Sequence, residues 1–120
     1  METTLKPLIW LGSSRADVRA FPRGMRHAIG HELFKIQNRL PPASWKPMPS
    51  VGSGVVELRI QLKGAFRVLY VAKFDEGVYV LHAFQKHTRK TGRLDLELAR
   101  ARFRNLEIRR KQRSQEAERA

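Results

Sequence analysis

The chain has 120 residues, 42% hydrophobic and 29% charged, which is enough for one hydrophobic core but not two, and too apolar for an unfolded chain. It carries 24 Lys and Arg against 11 Asp and Glu, a formal net charge of +13, and a cationic body of that kind points to a polyanionic partner, nucleic acid first, or to an acidic protein. The absence of cysteine excludes a disulfide framework and a thiolate zinc site, and no apolar run approaches the length of a membrane span.

Read from the N-terminus, Leu5–Leu11 forms an opening strand, with Pro7 near its start where a missing N–H suits an edge position. No basic start or small-residue cleavage site marks a signal peptide, so the expected compartment is the cytoplasm. Ser13 or Ser14 can cap a short helix with Asp17 in its first turn, and Phe21-Pro22 breaks that helix. A longer helix is predicted from about Arg23 to Leu40, with Met25, Ile29, Leu33, Ile36 and Leu40 on one stripe. The two helices make a hairpin that must bury its stripe on a sheet. The linker Pro41–Gly54 holds four of the six prolines and two glycines. Trp45 and Met48 are expected to pin it over the edge of the sheet or helix.

Val55–Thr91 reads as three antiparallel strands and a basic exit. Val56, Leu58, Ile60 and Leu62 alternate with Glu57, Arg59, Gln61 and Lys63, the period of a half-buried strand. Gly64 marks a tight turn, Ala65–Lys73 forms a second strand, and Asp75-Glu76-Gly77 returns the chain into Val78–Phe84. Thr91 or Asp95 can cap a last helix whose seam is Leu96, Ala99, Phe103 and Leu106, flanked by Arg100, Arg102, Arg104, Arg109, Arg110 and Lys111. The tail from about Gln112 to Ala120 loses that seam and is expected to fray. The order is β-α-α-β-β-β-α: an α+β domain spanning residues 1–120, with its core at about 5–110, an antiparallel-rich sheet and the helices to one side. The neighbour of the first strand is left open.

The charge excess is +5 over residues 1–54, +4 over 55–90 and +4 over 91–120, so it belongs to the whole fold rather than to a tail. Within the strands, Arg59, Arg67, Lys86 and His87 are the polar groups most in need of an explanation. His82 lies inside a strand and reads as a satisfied, partly buried residue. His27 and His31 are four apart on the long helix without a third ligand or the glutamate of HExxH, so no metal is expected there. Gly52-Ser53-Gly54 lacks the Lys-Ser/Thr and the following helix of a phosphate loop, and no Gly-x-Ser-x-Gly marks a hydrolase. No cofactor is expected.

The segments KPLIWLGSSRADVRAFP, HELFKIQNRLPPASWKPMPSVGSGVVELRI, FRVLYVAKF and VYVLHAFQKHTRKT, in this order over roughly residues 5–105, resemble the RelE/HigB superfamily of bacterial toxin–antitoxin toxins, in its phage-derived, HigB-like branch. The resemblance implies a RelE-like fold and a ribosome-dependent endonuclease that cuts translated mRNA. It also implies silencing by a cognate antitoxin, commonly a helix-turn-helix protein of HigA type. In such chemistry the RNA's 2′-hydroxyl is the nucleophile, and the protein supplies cations for the phosphorane and groups that move protons. Arg67 matches the family's catalytic arginine; the bland alternative is a strand-surface arginine paired with Glu57 or Glu76. Arg59 either binds phosphate or orients its neighbours. Lys86 matches a basic position at the catalytic strand end, and His87 stands where many relatives have a second lysine. Lys63, Lys73, Arg89 and Lys90 are expected on RNA or ribosomal phosphates, with strong salt dependence. Two other readings stay open: a ParE-like toxin that inhibits gyrase on the same fold, and a non-enzymatic nucleic-acid-binding module. The antitoxin is expected to be acidic, covering the cationic groove or binding elsewhere.

Overall fold

The computed structural model of the chain describes residues 4–119. Its elements are β1 (Leu8–Trp10), α1 (Ser14–Arg19), α2 (Arg23–Gln37), β2 (Trp45–Pro47), β3 (Val55–Gln61), β4 (Ala65–Val71), β5 (Val78–Lys86) and α3 (Arg93–Arg119). The strands form one sheet in the order β1-β5-β4-β3-β2, antiparallel except for β1, which runs parallel to β5 with Leu8 opposite Val78. The fold is α+β, consistent with a RelE-like fold. The sequence reading lacked β2. Pro47 inside this three-residue run hides the strand, but on an edge strand a proline is tolerated. Among the described residues no helix is long and apolar enough to cross a membrane.

The helices do not lie to one side, as the hairpin pattern suggested. Successive strand residues point to opposite faces, and both faces are covered. Val18, Met25, Ile29, Leu33 and Ile36 of α1 and α2 pack on Leu58, Phe66, Val68, Tyr70 and Val80. Ala99, Phe103 and Leu106 of α3, with Met48 and Val51 from the linker, pack on Val55, Leu69, Val71, Tyr79 and Leu81. The three central strands are therefore apolar on both sides, which is why Val78–Phe84 contains so few polar residues. Met48 pins the linker as expected, whereas Trp45 stands half exposed on the edge strand.

Element ends also depart from the sequence pattern, for local reasons. α2 stops at Gln37 because Arg39 enters the left-handed region (φ 63°) and the Leu40 N–H bonds back to the Lys35 carbonyl, a helix-ending arrangement. Leu40 precedes Pro41 and cannot stay helical, so it leaves the stripe and is 55% exposed. None of the expected side-chain caps forms. Ser13 donates to Asp17 Oδ2 (2.8 Å), Thr91 to Glu57, and Asp95 holds His82. α3 continues to Arg119 with residues 111–119 all exposed. Good helix formers, Gln, Arg, Glu and Ala, carry the helix through residues 112–119 without a packing face. Ala120 lies outside the described residues.

Candidate active site

The register of the central strands assembles a charged cluster on the α3-covered face, at the end of the sheet where α3 begins. Arg59 lies directly opposite Arg67 on β4, and Lys46 on β2 lies opposite Glu57. On the other side of β4, Arg67 pairs with Phe84 and Ala65 with Lys86. Lys86 reaches this face only because β5 carries a bulge. Leu69 pairs with His82 but Tyr70 with Val80, leaving Leu81 unpaired. The extra residue reverses the in–out alternation of everything after it. Tyr79 and Leu81 before the bulge and Phe84 after it all pack toward α3. Without the bulge, Lys86 would point to the α2 side.

At the centre of the cluster stands Glu57, whose side chain is 2% exposed. Its Oε1 lies 3.3 Å from Arg59 Nε and 3.5 Å from Arg67 Nε, and its Oε2 accepts a hydrogen bond from the Thr91 hydroxyl at 3.1 Å. Both arginine Nε atoms are at ion-pair distance yet lack an aligned hydrogen bond among the described residues, so charge rather than directional bonding holds them. Like charges directly opposite in a sheet repel, and here the buried carboxylate offsets that repulsion. Arg67 Nη1 donates to the Phe66 carbonyl at 3.0 Å.

Four cations around one carboxylate leave the cluster positive. Burial lowers the Arg67 pKa from its ordinary value, with Arg59 adding to the effect and Glu57 opposing it. The Lys86 pKa is also lowered, first by burial and then by Arg67, Arg59 and Lys46, again against Glu57. A lysine of that kind gives up its proton more readily than a free one. Beside the cluster, His82 is buried, with Nε2 2.7 Å from Asp95 Oδ1 and Nδ1 3.4 Å from Arg102 Nη1. A carboxylate on one ring nitrogen and a guanidinium on the other select the Nε2–H tautomer. The ring stacks on Phe84 at 5.2 Å. His82 is thus the satisfied structural histidine that its strand position suggested.

The structure brings Arg59, Arg67 and Lys86 together. His87, Arg89 and Lys90 follow in the exposed segment between β5 and α3, and Lys63 is exposed in the β3–β4 turn at the same end of the sheet. Lys73 is placed apart. It lies beyond Val71, at the opposite end of β4 from the Ala65–Lys86 pair. There it donates to Ser53 Oγ at 3.3 Å and lies over the Phe74 ring. Glu76, one alternative partner for Arg67, instead holds Arg110. Among the described residues no group of three His, Cys, Asp or Glu is arranged to hold a metal ion, and His27 and His31 are exposed on α2. Sequence reasoning missed Lys46, because only β2 pairing carries it to Glu57, and it read Thr91 as a cap. The odd-position parity shared by Glu57 and Arg59 was the available signal for their contact.

No curated protein matches the chain. Residues 16–104 match the family described as phage derived protein Gp49-like (DUF891), a span that includes most of α1, all of α2, all four strands from β2 to β5 and every member of the charged cluster. The chain therefore belongs to the phage-derived Gp49-like family, a family of RelE-like toxins.

Proposed function

We propose that the chain is the toxin of a type II toxin–antitoxin system. It acts in the cytoplasm as a ribosome-dependent mRNA endonuclease and is neutralised by a cognate antitoxin, a helix-turn-helix protein with an acidic surface or segment. Membership of a toxin family supports the role. The observation that carries the chemistry is the convergence of Arg59, Arg67 and Lys86 on one face at an open end of the sheet. An arginine fork keeps its charge and grips two phosphate oxygens. Arg67 and Arg59 hold the scissile phosphate and stabilise the phosphorane as the 2′-hydroxyl attacks. Lys86, with its lowered pKa, and the adjacent His87 handle the two protons, one taken from the attacking 2′-hydroxyl and one given to the leaving 5′-oxygen. Lys63, Arg89 and Lys90 lie at the same end and contact RNA or ribosomal phosphates.

The test is primer extension on mRNA from cells expressing the chain alone, beside Arg67→Ala. Discrete cuts within translated messages are expected, lost by about 10²–10³-fold in the variant, the effect of removing one transition-state donor. Intact messages with inhibited gyrase supercoiling would replace this reading with a ParE-like one. Arg67→Ala cutting at the wild-type rate would remove the catalytic assignment.

A further inference from the structure

Glu57 is a buried acid in a site that works by positive charge. Burying a carboxylate is costly unless it is paired and hydrogen-bonded, and an attractive charge for RNA would be stronger without it. Its contacts show what it does instead. One oxygen faces the inner nitrogen of each of two arginines, and the other is held by a hydroxyl from the segment leading into α3. The terminal nitrogens, which do the phosphate gripping, make no hydrogen bond to the carboxylate among the described residues. Apart from Arg67 Nη1 on Phe66, they have no hydrogen bond within the described chain.

We propose that Glu57 is a positioning residue of the cleavage site. Its carboxylate holds Arg59 and Arg67 side by side with their forks free, and through Thr91 it ties them to the 87–92 segment that presents His87, Arg89 and Lys90. The inference rests on the endonuclease reading and adds the device that keeps two repelling guanidiniums aligned. Every strand but β1 contributes a charge to this centre: Lys46 from β2, Arg59 with Glu57 from β3, Arg67 from β4 and Lys86 from β5. From α3, Asp95 is occupied by His82. Glu57 is thus the carboxylate that offsets the four cations, and its removal disorders the arginines while raising the site's net charge by one.

That combination gives a signature that a merely structural residue would not produce. Glu57→Gln keeps the shape and should bind RNA as tightly as wild type or more so, yet cleave about 10²-fold more slowly, the scale of a misplaced catalytic group. Losing the anion that opposes the lowering of the Lys86 pKa should also move the alkaline limb of the pH–rate profile to lower pH. Thr91→Val, which removes the hydroxyl that holds Glu57 Oε2, should slow cleavage about 10-fold, and Thr91→Ser should restore it. Arginine side-chain NMR on the purified full chain supplies an arm without turnover: the Arg59 and Arg67 Nε–H signals, set in wild type by the adjacent carboxylate charge, should shift and lose their restricted side-chain motion in Glu57→Gln. Unchanged arginine signals, or cleavage and RNA binding falling together with the melting temperature, overturn the positioning role. A wild-type chain that cuts no ribosome-bound mRNA, with the NMR difference intact, overturns the endonuclease reading and leaves the arginine alignment standing.

Discussion

The Glu76–Arg110 pair fastens the β4–β5 turn to α3, and its contribution can be worked through. Arg110 Nε and Nη2 reach the two Glu76 oxygens at 2.7 and 3.2 Å, and Tyr79 donates to the same carboxylate at 2.8 Å. The Arg110 guanidinium also lies 3.7 Å from the centre of the Phe74 ring. Its hydrogen bond to Arg110, before any other cause, holds Glu76 at about 2 against an ordinary 4.5. Taken at face value, a depression of that size is about 3 kcal/mol at the usual conversion. Both side chains are about one-third exposed, and solvent screening reduces the figure to about 1 kcal/mol. Because the folded-state pKa lies below the unfolded one, this stability is fully present above about pH 4.5 and is lost as pH falls toward about 2. Glu76→Gln should therefore lower stability by about 1 kcal/mol at pH 7, a melting-temperature drop of about 3–5 °C for a chain of this length. The assay is urea denaturation of both proteins at several pH values between 2 and 7. The gap should close toward the acid end and shrink in high salt. A gap of constant size across that range would refute the reasoning, since it would show that the loss is not one of charge.

Three more expectations follow from other parts of the molecule. A Cβ added at Gly52 would meet the Phe103 ring at 2.3 Å, in the packed α3 interface; Gly52→Ala should cost about 1–3 kcal/mol, read as a fall in denaturation midpoint. Cleavage should depend on pH through a basic limb lying below that of an ordinary lysine, because burial and Arg67 lower the Lys86 pKa; a profile flat to pH 11, or one unaltered in Lys86→Arg, would exclude Lys86 as the proton-moving group. Truncation after Lys111 removes exposed helical surface and the Arg113 hydrogen bond to Tyr79, so the melting temperature should fall by no more than about 4 °C; a larger fall would mean that the α3 extension packs more widely on the body.

Local periodicity was sufficient for much of this fold. The stripe of Met25, Ile29, Leu33 and Ile36 and the seam of Ala99, Phe103 and Leu106 each follow from the geometry of one element meeting one apolar layer, and each side chain is buried as that geometry requires; the alternation along β3 holds less fully, with Leu58 buried, Val56 and Ile60 partly buried and Leu62 exposed. The matching parity of Glu57 and Arg59, the excess positive charge and the turn at Asp75–Gly77 were legible for the same reason. What sequence could not supply depends on groups far apart in the chain. The Leu81 bulge exists only as a mismatch between two paired strands, yet it decides whether Lys86 faces Arg67 or the opposite side of the sheet. The pairing of β2 brings Lys46 to Glu57, and Arg59, Arg67 and Thr91 close over a glutamate that alternation alone assigned to solvent. Side-chain type and spacing fix which residues can share a face of one strand; only the register between strands, set by many weak long-range contacts at once, fixes which charges meet.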